Sequence, residues 1–157
     1  MTEAQKFRKK SLSPYFKLFL FAKLPLAFIA GIKMDQFNES ICSTSLTFRW
    51  INQNPFKSMY FAAMQMAAEL CTGLLLFQHL NSKAKFSMLL VSVKSNYTKK
   101  AIGKIRFVCK DGNEAEVFIN EVLTNEEGIS KVFLVNAINS NNEEVANFEF
   151  TWSCKKK

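Results

Sequence analysis

Apolar and polar residues alternate from residue 41 to residue 51, as they do in a strand with one buried face. The inward face of this strand is predicted to carry Cys42, Thr44, Leu46, Phe48 and Trp50. Further strands are predicted at residues 86–97, 101–110, 131–139 and 144–154. The polar stretch NSNNEE between the last two predicts a hairpin connection. In the final strand the alternation points these residues inward: Ala146, Phe148, Phe150, Trp152 and Cys154.

Three helices are predicted from apolar runs and helical spacing. The longest extends from about residue 56 to about residue 79 and is apolar almost all round, with one charge, Glu69. An amphipathic helix is predicted in residues 15–32, with Ser13 as its N-cap and Pro14 at its first position. A short helix is predicted between residues 111 and 128. Gly128 is predicted to end this helix. Its apolar stripe is predicted to be Val117, Phe118, Val122 and Leu123.

The order of these elements is typical of an α+β domain, because several strands follow one long helix and carry a single helical insertion. We therefore predict one domain over residues 1–157, with an antiparallel sheet wrapped around the long apolar helix. A helix that is apolar on all sides has to be covered on all sides. The side that the sheet leaves open is expected to hold a partner subunit or a ligand.

Composition and charge narrow the function classes. A hydrophobic content of 48% and a charged content of 22% are those of a folded globular protein. The net charge of +8 is concentrated at the ends, where residues 1–10 carry four basic residues against Glu3 and residues 155–157 are all lysine. Because the body is then nearly balanced and no aromatic and basic motif accompanies the tails, we predict no nucleic-acid partner.

The cysteines and the basic N-terminal run bear on location. The four cysteines show no CxxC pairing and His79 is the single histidine, so we predict reduced thiols, no metal, no other cofactor and a cytoplasmic protein. Lys17, Lys23 and Pro25 interrupt the apolar run of residues 15–32, which argues against a signal peptide or a membrane span. Two interpretations of this run stay open: a helix packed on the domain, or contact with a membrane surface.

The region around the long helix carries a family resemblance. Asn54 lies in the loop that enters the helix, Tyr60, Phe61 and Ala62 follow it, and Glu69 comes nine residues after Tyr60. Over residues 31–154 the chain resembles the hotdog-fold acyl-CoA thioesterases, most of all the group with the phenylacetate-pathway and 4-hydroxybenzoyl-CoA enzymes. In that group an Asn, a His-Gly-Gly and an acidic residue hold these positions. The resemblance implies a hotdog fold in residues 31–154 with an N-terminal helical extension in residues 1–30.

The resemblance also implies an activity, which is hydrolysis of an acyl-CoA or related acyl thioester in a cleft between the subunits of a homo-oligomer, a dimer or a tetramer. Glu69 would act as general base on a water, or as a nucleophile. The backbone N–H groups of Phe61 and Ala62 would form the oxyanion hole. Asn54 would position the substrate or the water, and Tyr60 would donate a hydrogen bond in place of the family His.

Two alternatives remain open at the level of the sequence. Helical spacing places Gln65 and Thr72 on one polar stripe with Glu69. Either this stripe lines the cleft, or Glu69 satisfies a backbone group or a basic partner across a dimer interface and does no chemistry. Because the three residues Tyr60 to Ala62 replace His-Gly-Gly, the second functional hypothesis is a non-catalytic protein that binds acyl groups or fatty acids.

Two further features are weaker candidates. Residues 94–110 hold six basic residues and no acidic one, which suits either the phosphates of coenzyme A or an ordinary solvated face. These residues are Lys94, Lys99, Lys100, Lys104, Arg106 and Lys110. His79 is predicted to belong to the C-terminal end of the long helix as a capping residue, rather than to act as a catalytic base.

Overall fold

A computed structural model describes residues 1–80 and 85–157 and shows one sheet with five helices. The strands are β1 (Lys33–Phe37), β2 (Cys42–Thr47), β3 (Phe86–Tyr97), β4 (Lys104–Cys109), β5 (Ile129–Ile138) and β6 (Glu144–Lys156). The helices are α1 (Glu3–Ser11), α2 (Tyr15–Lys23), α3 (Pro25–Ala30), α4 (Phe61–Leu80) and α5 (Gly112–Thr124). A short 3-10 turn, Trp50–Asn52, follows β2.

The six strands form one antiparallel sheet in the order β1-β2-β4-β5-β6-β3. Its inner face packs on α4, which contacts β2, β4, β5 and β6. The predicted inward residues of β6 are all buried, and the predicted hairpin forms with the Asn139 N–H donating to the Glu143 carbonyl at 2.9 Å. The predicted architecture, an α+β domain with an antiparallel sheet around a long central helix, is confirmed.

The other side of α4 is covered by the chain itself. α1 and α3 pack on α4 opposite the sheet, and α5 packs beside it. Most of α4 is therefore buried within one chain. The predicted place of a partner subunit or a ligand is limited to the part of α4 that stays uncovered. α4 is long and apolar enough to cross a membrane, but 67% of that stretch lies inside the fold, so it is the core helix.

Residues 3–11 of the basic N-terminus form α1 and dock on the body. The Arg8 guanidinium donates to Gln78 Oε1 and to Glu39 Oε1, both at 2.8 Å. The Phe7 ring meets the Phe37 ring edge-on at 5.8 Å between centroids. Charge counting misses this docking because the partners lie far along the chain.

The predicted single helix in residues 15–32 is two helices, α2 and α3. The break falls at Leu24, immediately before Pro25, because proline lacks an N–H and disfavours a helical residue before it. The Ser13 hydroxyl accepts from the Tyr15 N–H at 3.2 Å, close to the capping role predicted for it. Pro14 is the N-cap rather than the first helical residue.

α4 begins at Phe61, five residues later than predicted, because residues 54–58 form a tight turn. Asn54 Oδ1 accepts from the Phe56 N–H at 2.9 Å and from the Ser58 N–H at 3.3 Å. Lys57 has a left-handed backbone with φ of 58°. A helix cannot include such a turn, and the sequence pattern alone does not reveal it.

Two strand ends also differ from prediction. β2 stops at Thr47 because the Asn52 side chain accepts from the Arg49 N–H and donates to the Thr47 carbonyl, both at 2.9 Å. Trp50, predicted to face inward, is 80% exposed on the resulting 3-10 turn, and Phe48 is half-buried. β6 continues to Lys156 as the partner of β3, so the predicted basic tail at 155–157 is largely strand.

α5 is rotated relative to its predicted stripe. Its buried residues are Ala115, Phe118, Ile119 and Val122 after Gly112, whereas Val117 is half exposed and Leu123 lies at the edge. The first turn approaches the β1–β2 connection so closely that a Cβ on Gly112 would overlap the backbone of that connection. This close approach sets which face of α5 points inward. The helix ends at Thr124, before the predicted stop at Gly128.

Candidate active site

Glu69 lies on the wall of an apolar cavity of about 270 Å³. One wall is α4, through Met66, Glu69 and Leu70, which share a face of the helix. The opposite wall is the junction of α2 and α3, residues 23–27. The N-terminal extension thus encloses the acidic residue that the sequence singles out.

The carboxyl group of Glu69 is half-buried among apolar side chains. Burial raises the pKa of Glu69 from 4.5 to about 7, because the charged form loses hydration there. Among the described residues no cation forms an ion pair with Glu69. A carboxyl group with this pKa exchanges protons near neutral pH, as a general base must.

Gly73 lies next to this carboxyl group. A Cβ on Gly73 would lie 3.4 Å from Glu69 Oε1 and 3.7 Å from the Trp152 ring. Gly73 is the residue at i+4 from Glu69, so the two lie on one face of α4. The sequence interpretation overlooked Gly73, although the i+4 spacing from Glu69 is visible in the sequence.

Thr72 lies in the core and not on the cavity wall. It is fully buried, its hydroxyl donates to the Glu69 carbonyl at 2.9 Å and accepts from Trp152 Nε1 at 2.9 Å. The predicted stripe of Gln65, Glu69 and Thr72 therefore departs from the structure at Thr72. The reason is that i+3 in a helix is offset by about 60° from i, which turns Thr72 toward the sheet.

Replacing Thr72 by valine should lower the free energy of unfolding by about 1–3 kcal/mol, because the buried Trp152 N–H loses its acceptor. Urea unfolding followed by Trp fluorescence measures the change. Thr124→Val is the matched control, since the exposed Thr124 hydroxyl also donates to a carbonyl three residues earlier, at 3.0 Å. Equal effects of the two substitutions would contradict the role of the Trp152 bond.

Gln65 lies one turn before Glu69 on α4 and faces β3. Its amide donates to Ser95 Oγ at 3.3 Å, near the Tyr97 phenol. Burial raises the pKa of Tyr97, while hydrogen bonds from Ser95 and Gln65 act in the opposite direction. Gln65 thus keeps a polar contact toward the sheet edge.

The loop before α4 is held together by Asn54. Its Nδ2 donates to Ser58 Oγ at 3.1 Å and to the Met59 carbonyl at 3.2 Å, and its Oδ1 accepts from the turn. Both ends of the amide are therefore engaged within the loop. Asn54 shapes the entry to α4, and its predicted contact with a substrate or water remains a prediction.

The start of α4 presents free backbone donors. The Tyr60 N–H donates to the Asn52 carbonyl at 2.8 Å, whereas the N–H groups of Phe61 and Ala62 have no acceptor among the described residues. Phe61 lines a second, open cavity of about 380 Å³, together with Asn54 and Tyr97, whereas Ala62 does not line it. Such free N–H groups at a helix start are suited to an oxyanion.

Aromatic rings crowd this helix start. The Phe61 ring lies 4.8 Å from the Tyr60 ring and 6.2 Å from the Tyr97 ring, both edge-on. Tyr60 and Phe61 each remain nearly half exposed. Phe61 and Tyr97 line the second cavity, which stays open, whereas Tyr60 does not line it.

Glu69 and the free N–H groups are far apart within one chain. Eight residues of helix separate Phe61 from Glu69, which is about 12 Å along the axis at 1.5 Å per residue. A single thioester carbonyl needs the oxyanion donors and the general base within hydrogen-bond reach of its own reaction centre. One chain by itself does not provide both to the same carbonyl.

The other candidates have ordinary contacts. Of the basic residues in 94–110, Lys94, Lys99 and Lys104 form ion pairs with Glu149, Glu143 and Asp35, at 3.0, 2.6 and 3.2 Å. Lys100 donates to the Phe56 carbonyl and lines the second cavity.

The histidine lies at a helix end and the thiols lie in the core. His79 lies in the last turn of α4. The four cysteines are buried free thiols, and no group of potential metal ligands occurs in residues 1–80 and 85–157.

A comparison with protein-family models identifies the family of this chain. The model of a domain of unknown function, DUF4442, matches residues 13–154. The chain belongs to the DUF4442 family. The match covers the sheet, α4, α5 and also α2 and α3, so the extension that encloses Glu69 is part of the family domain. Among curated proteins no match was found.

Solved structures share the fold of this DUF4442 chain. PA5026 of Pseudomonas aeruginosa, described as a probable thioesterase, superposes with a TM-score of 0.78 at 18% identity, covering 93% of this chain and 97% of that one. The thioesterase HI1161 of Haemophilus influenzae gives 0.66 at 13%, covering 88% of each chain. The thioesterase SAV0944 of Staphylococcus aureus gives 0.63 at 13%, covering 88% and 98%. The predicted hotdog fold is thereby confirmed, and the chain is thioesterase-like in structure.

The sequence interpretation missed the second wall of the Glu69 cavity. Residues 23–27 come from the N-terminal extension. For this segment the sequence predicts only a helix packed on the domain or contact with a membrane surface. A signal was present in Pro25, which breaks the helix and turns the chain back toward α4. Nothing in the periodicity indicates that this turn meets Glu69.

Proposed function

We propose that this protein hydrolyses an acyl thioester, an acyl-CoA or a related compound, with Glu69 as the general base. One observation carries the proposal: a half-buried carboxyl group with a pKa of about 7 lies on the wall of an apolar cavity. The cavity suits an acyl chain, because its lining is apolar apart from Glu69 and Lys23. The thioesterase-like fold supports the same reaction class.

The proposed chemistry follows from the protonation state of Glu69. The carboxylate takes a proton from a water, and the resulting hydroxide attacks the thioester carbonyl carbon. Backbone N–H groups at the start of α4 stabilise the oxyanion of the tetrahedral intermediate. The C–S bond then breaks, the thiolate takes the proton from the Glu69 carboxylic acid, and a free acid and a thiol leave.

The proposed site is formed by two copies of the chain. Glu69 and the Phe61 N–H are about 12 Å apart along one helix, so the oxyanion donors that act with Glu69 come from the α4 start of a second copy. This requires a homo-oligomer, a dimer or a tetramer. Lys99 and Lys100 line the second cavity beside those donors and are the proposed contacts for coenzyme A phosphates.

A second function, binding of acyl chains or fatty acids without hydrolysis, is favoured by the helix start. Phe61 stands where the resemblance has glycine, and its ring packs edge-on against the rings of Tyr60 and Tyr97 at the start of α4. The Asn54 amide is also fully engaged in its loop. In this alternative the cavity retains its ligand and Glu69 takes no part in a reaction.

Hydrolysis of short-chain, long-chain and aromatic acyl-CoAs, followed by release of the thiol, tests the proposal. Turnover of at least one class above the uncatalysed rate is expected. Native mass determination accompanies the assay, because the proposed site needs two copies. Absence of turnover together with binding of a fatty-acid probe would favour the alternative, and a monomer at working concentration would exclude the shared site.

A further inference from the structure

The outer face of α2 and α3 is an exposed apolar surface. Leu18, Phe21, Leu26 and Ile29 are 57%, 62%, 70% and 56% exposed, although they alternate with the buried Phe16, Leu20, Ala27 and Ala30. Exposed apolar side chains scattered singly are normal, but a contiguous group on two adjoining helices marks an interaction site. The Phe21 and Phe28 rings meet edge-on at 5.4 Å, so the two helices form one surface. We call it the N-terminal apolar surface, made of Tyr15, Leu18, Phe21, Leu26, Phe28 and Ile29.

The chain segment that carries this surface has charges of one sign only. Between Glu3 and Asp35 the chain holds seven basic residues and no acidic residue. Lys17 and Lys23 are exposed on α2 itself, and the Lys10 ammonium lies 5.7 Å from the centre of the Tyr15 ring. Apolar side chains surrounded by lysines match the lipid–water boundary of an anionic bilayer.

The mouth of the Glu69 cavity adjoins the same surface. Leu24 and Leu26 line the cavity, and both are exposed, at 38% and 70%. A bilayer seated on α2 and α3 would therefore lie next to the cavity that holds Glu69. An acyl chain could pass from lipid into the cavity without crossing water, which is costly for a long apolar chain.

We propose that the N-terminal apolar surface docks this protein on an anionic membrane surface and presents the Glu69 cavity to acyl thioesters that partition into the bilayer. The choice of substrate class rests on the proposed hydrolase function; the docking does not. A second copy of the chain is the main competing occupant. A two-fold interface through this surface would bring two groups of lysines together without acidic partners from the same segment, whereas anionic lipid complements them.

Sedimentation with vesicles tests the docking on the full chain. The native protein should sediment with vesicles of phosphatidylcholine and phosphatidylglycerol, and much less with phosphatidylcholine alone or at high salt. The double variant Leu18→Gln/Ile29→Gln should bind the anionic vesicles at least about tenfold more weakly, since both side chains are exposed and would enter the lipid. Val132→Thr/Leu134→Thr is the matched control, because it removes two exposed apolar side chains from β5 and should bind as the native protein does.

Three outcomes of these experiments overturn the docking. Native protein that stays in solution with anionic vesicles, or a Leu18→Gln/Ile29→Gln variant that binds as well as native protein, excludes it. A native dimer that becomes a monomer in this variant assigns the surface to a second copy. The two proposals can fail independently. Vesicle binding with no acyl-CoA turnover contradicts hydrolysis alone. Turnover of a soluble short-chain acyl-CoA without vesicle binding contradicts docking alone.

Discussion

Replacing Glu69 by glutamine should lower kcat for acyl-CoA hydrolysis by about a hundredfold or more, while the protein stays folded and retains its ligand. Glutamine has nearly the same shape as a protonated glutamate, so the cavity keeps its volume and its apolar walls. The amide does not accept the proton of the attacking water, and removal of a general base costs about 10²–10⁴ in rate. Steady-state rates measure the loss of kcat, and the affinity for a non-hydrolysable acyl-CoA analogue measures whether the ligand is still bound.

The control for this substitution is Glu116→Gln. Glu116 is an exposed carboxylate on α5, so the variant loses the same charge from a helix away from the cavity. It should hydrolyse acyl-CoA at the native rate. Full activity of Glu69→Gln, or equal loss in both variants, would contradict the role assigned to Glu69.

Glu69 should also make the protein less stable as the pH rises from acid toward neutral. Its folded pKa is about 7, above the value of 4.5 for the unfolded chain, because burial penalises the charged form. Between these values the folded state holds the proton that the unfolded state has lost. The free energy of unfolding therefore falls as the pH rises through this range, by about 3 kcal/mol in the limit.

Comparison with Glu69→Gln isolates this contribution. The other carboxyl groups with shifted pKa, Glu3 and Glu143, are exposed and remain in both proteins, so they cancel in the difference. The variant should gain stability relative to the native protein from about pH 4.5 to about pH 8, which urea unfolding at a series of pH values measures. A difference that stays constant with pH would show that Glu69 titrates as it does in water.

The fold is largely accessible from the sequence because its signals are periodic. Alternation in β6 and the apolar run of α4 each reflect one buried surface, and the structure confirms both. The errors fall where a contact far along the chain decides the local structure. Asn52 ends β2 through its side chain, and Gly112 sets the rotation of α5 by its approach to a distant turn.

The site was accessible only in part, for the same reason. A lone charge in an apolar helix points to Glu69, and its cost of burial predicts a raised pKa. The second wall of its cavity comes from residues 23–27, more than forty residues earlier in the chain, and no pattern within α4 indicates it. Thr72 shows the limit of spacing arguments, because a neighbour at i+3 can face the core while Glu69 faces the cavity.

The pH dependence of kcat/KM for acyl-CoA hydrolysis, corrected for the uncatalysed rate, tests the central claim most directly. Because only the ionised carboxylate accepts a proton, kcat/KM should rise with pH and reach half its plateau near the pKa of Glu69 in the free enzyme, about 7. The residual rate of Glu69→Gln should lack this transition. A half-maximal pH near 4.5, or the same transition in both proteins, would contradict the assignment of Glu69 as the buried general base.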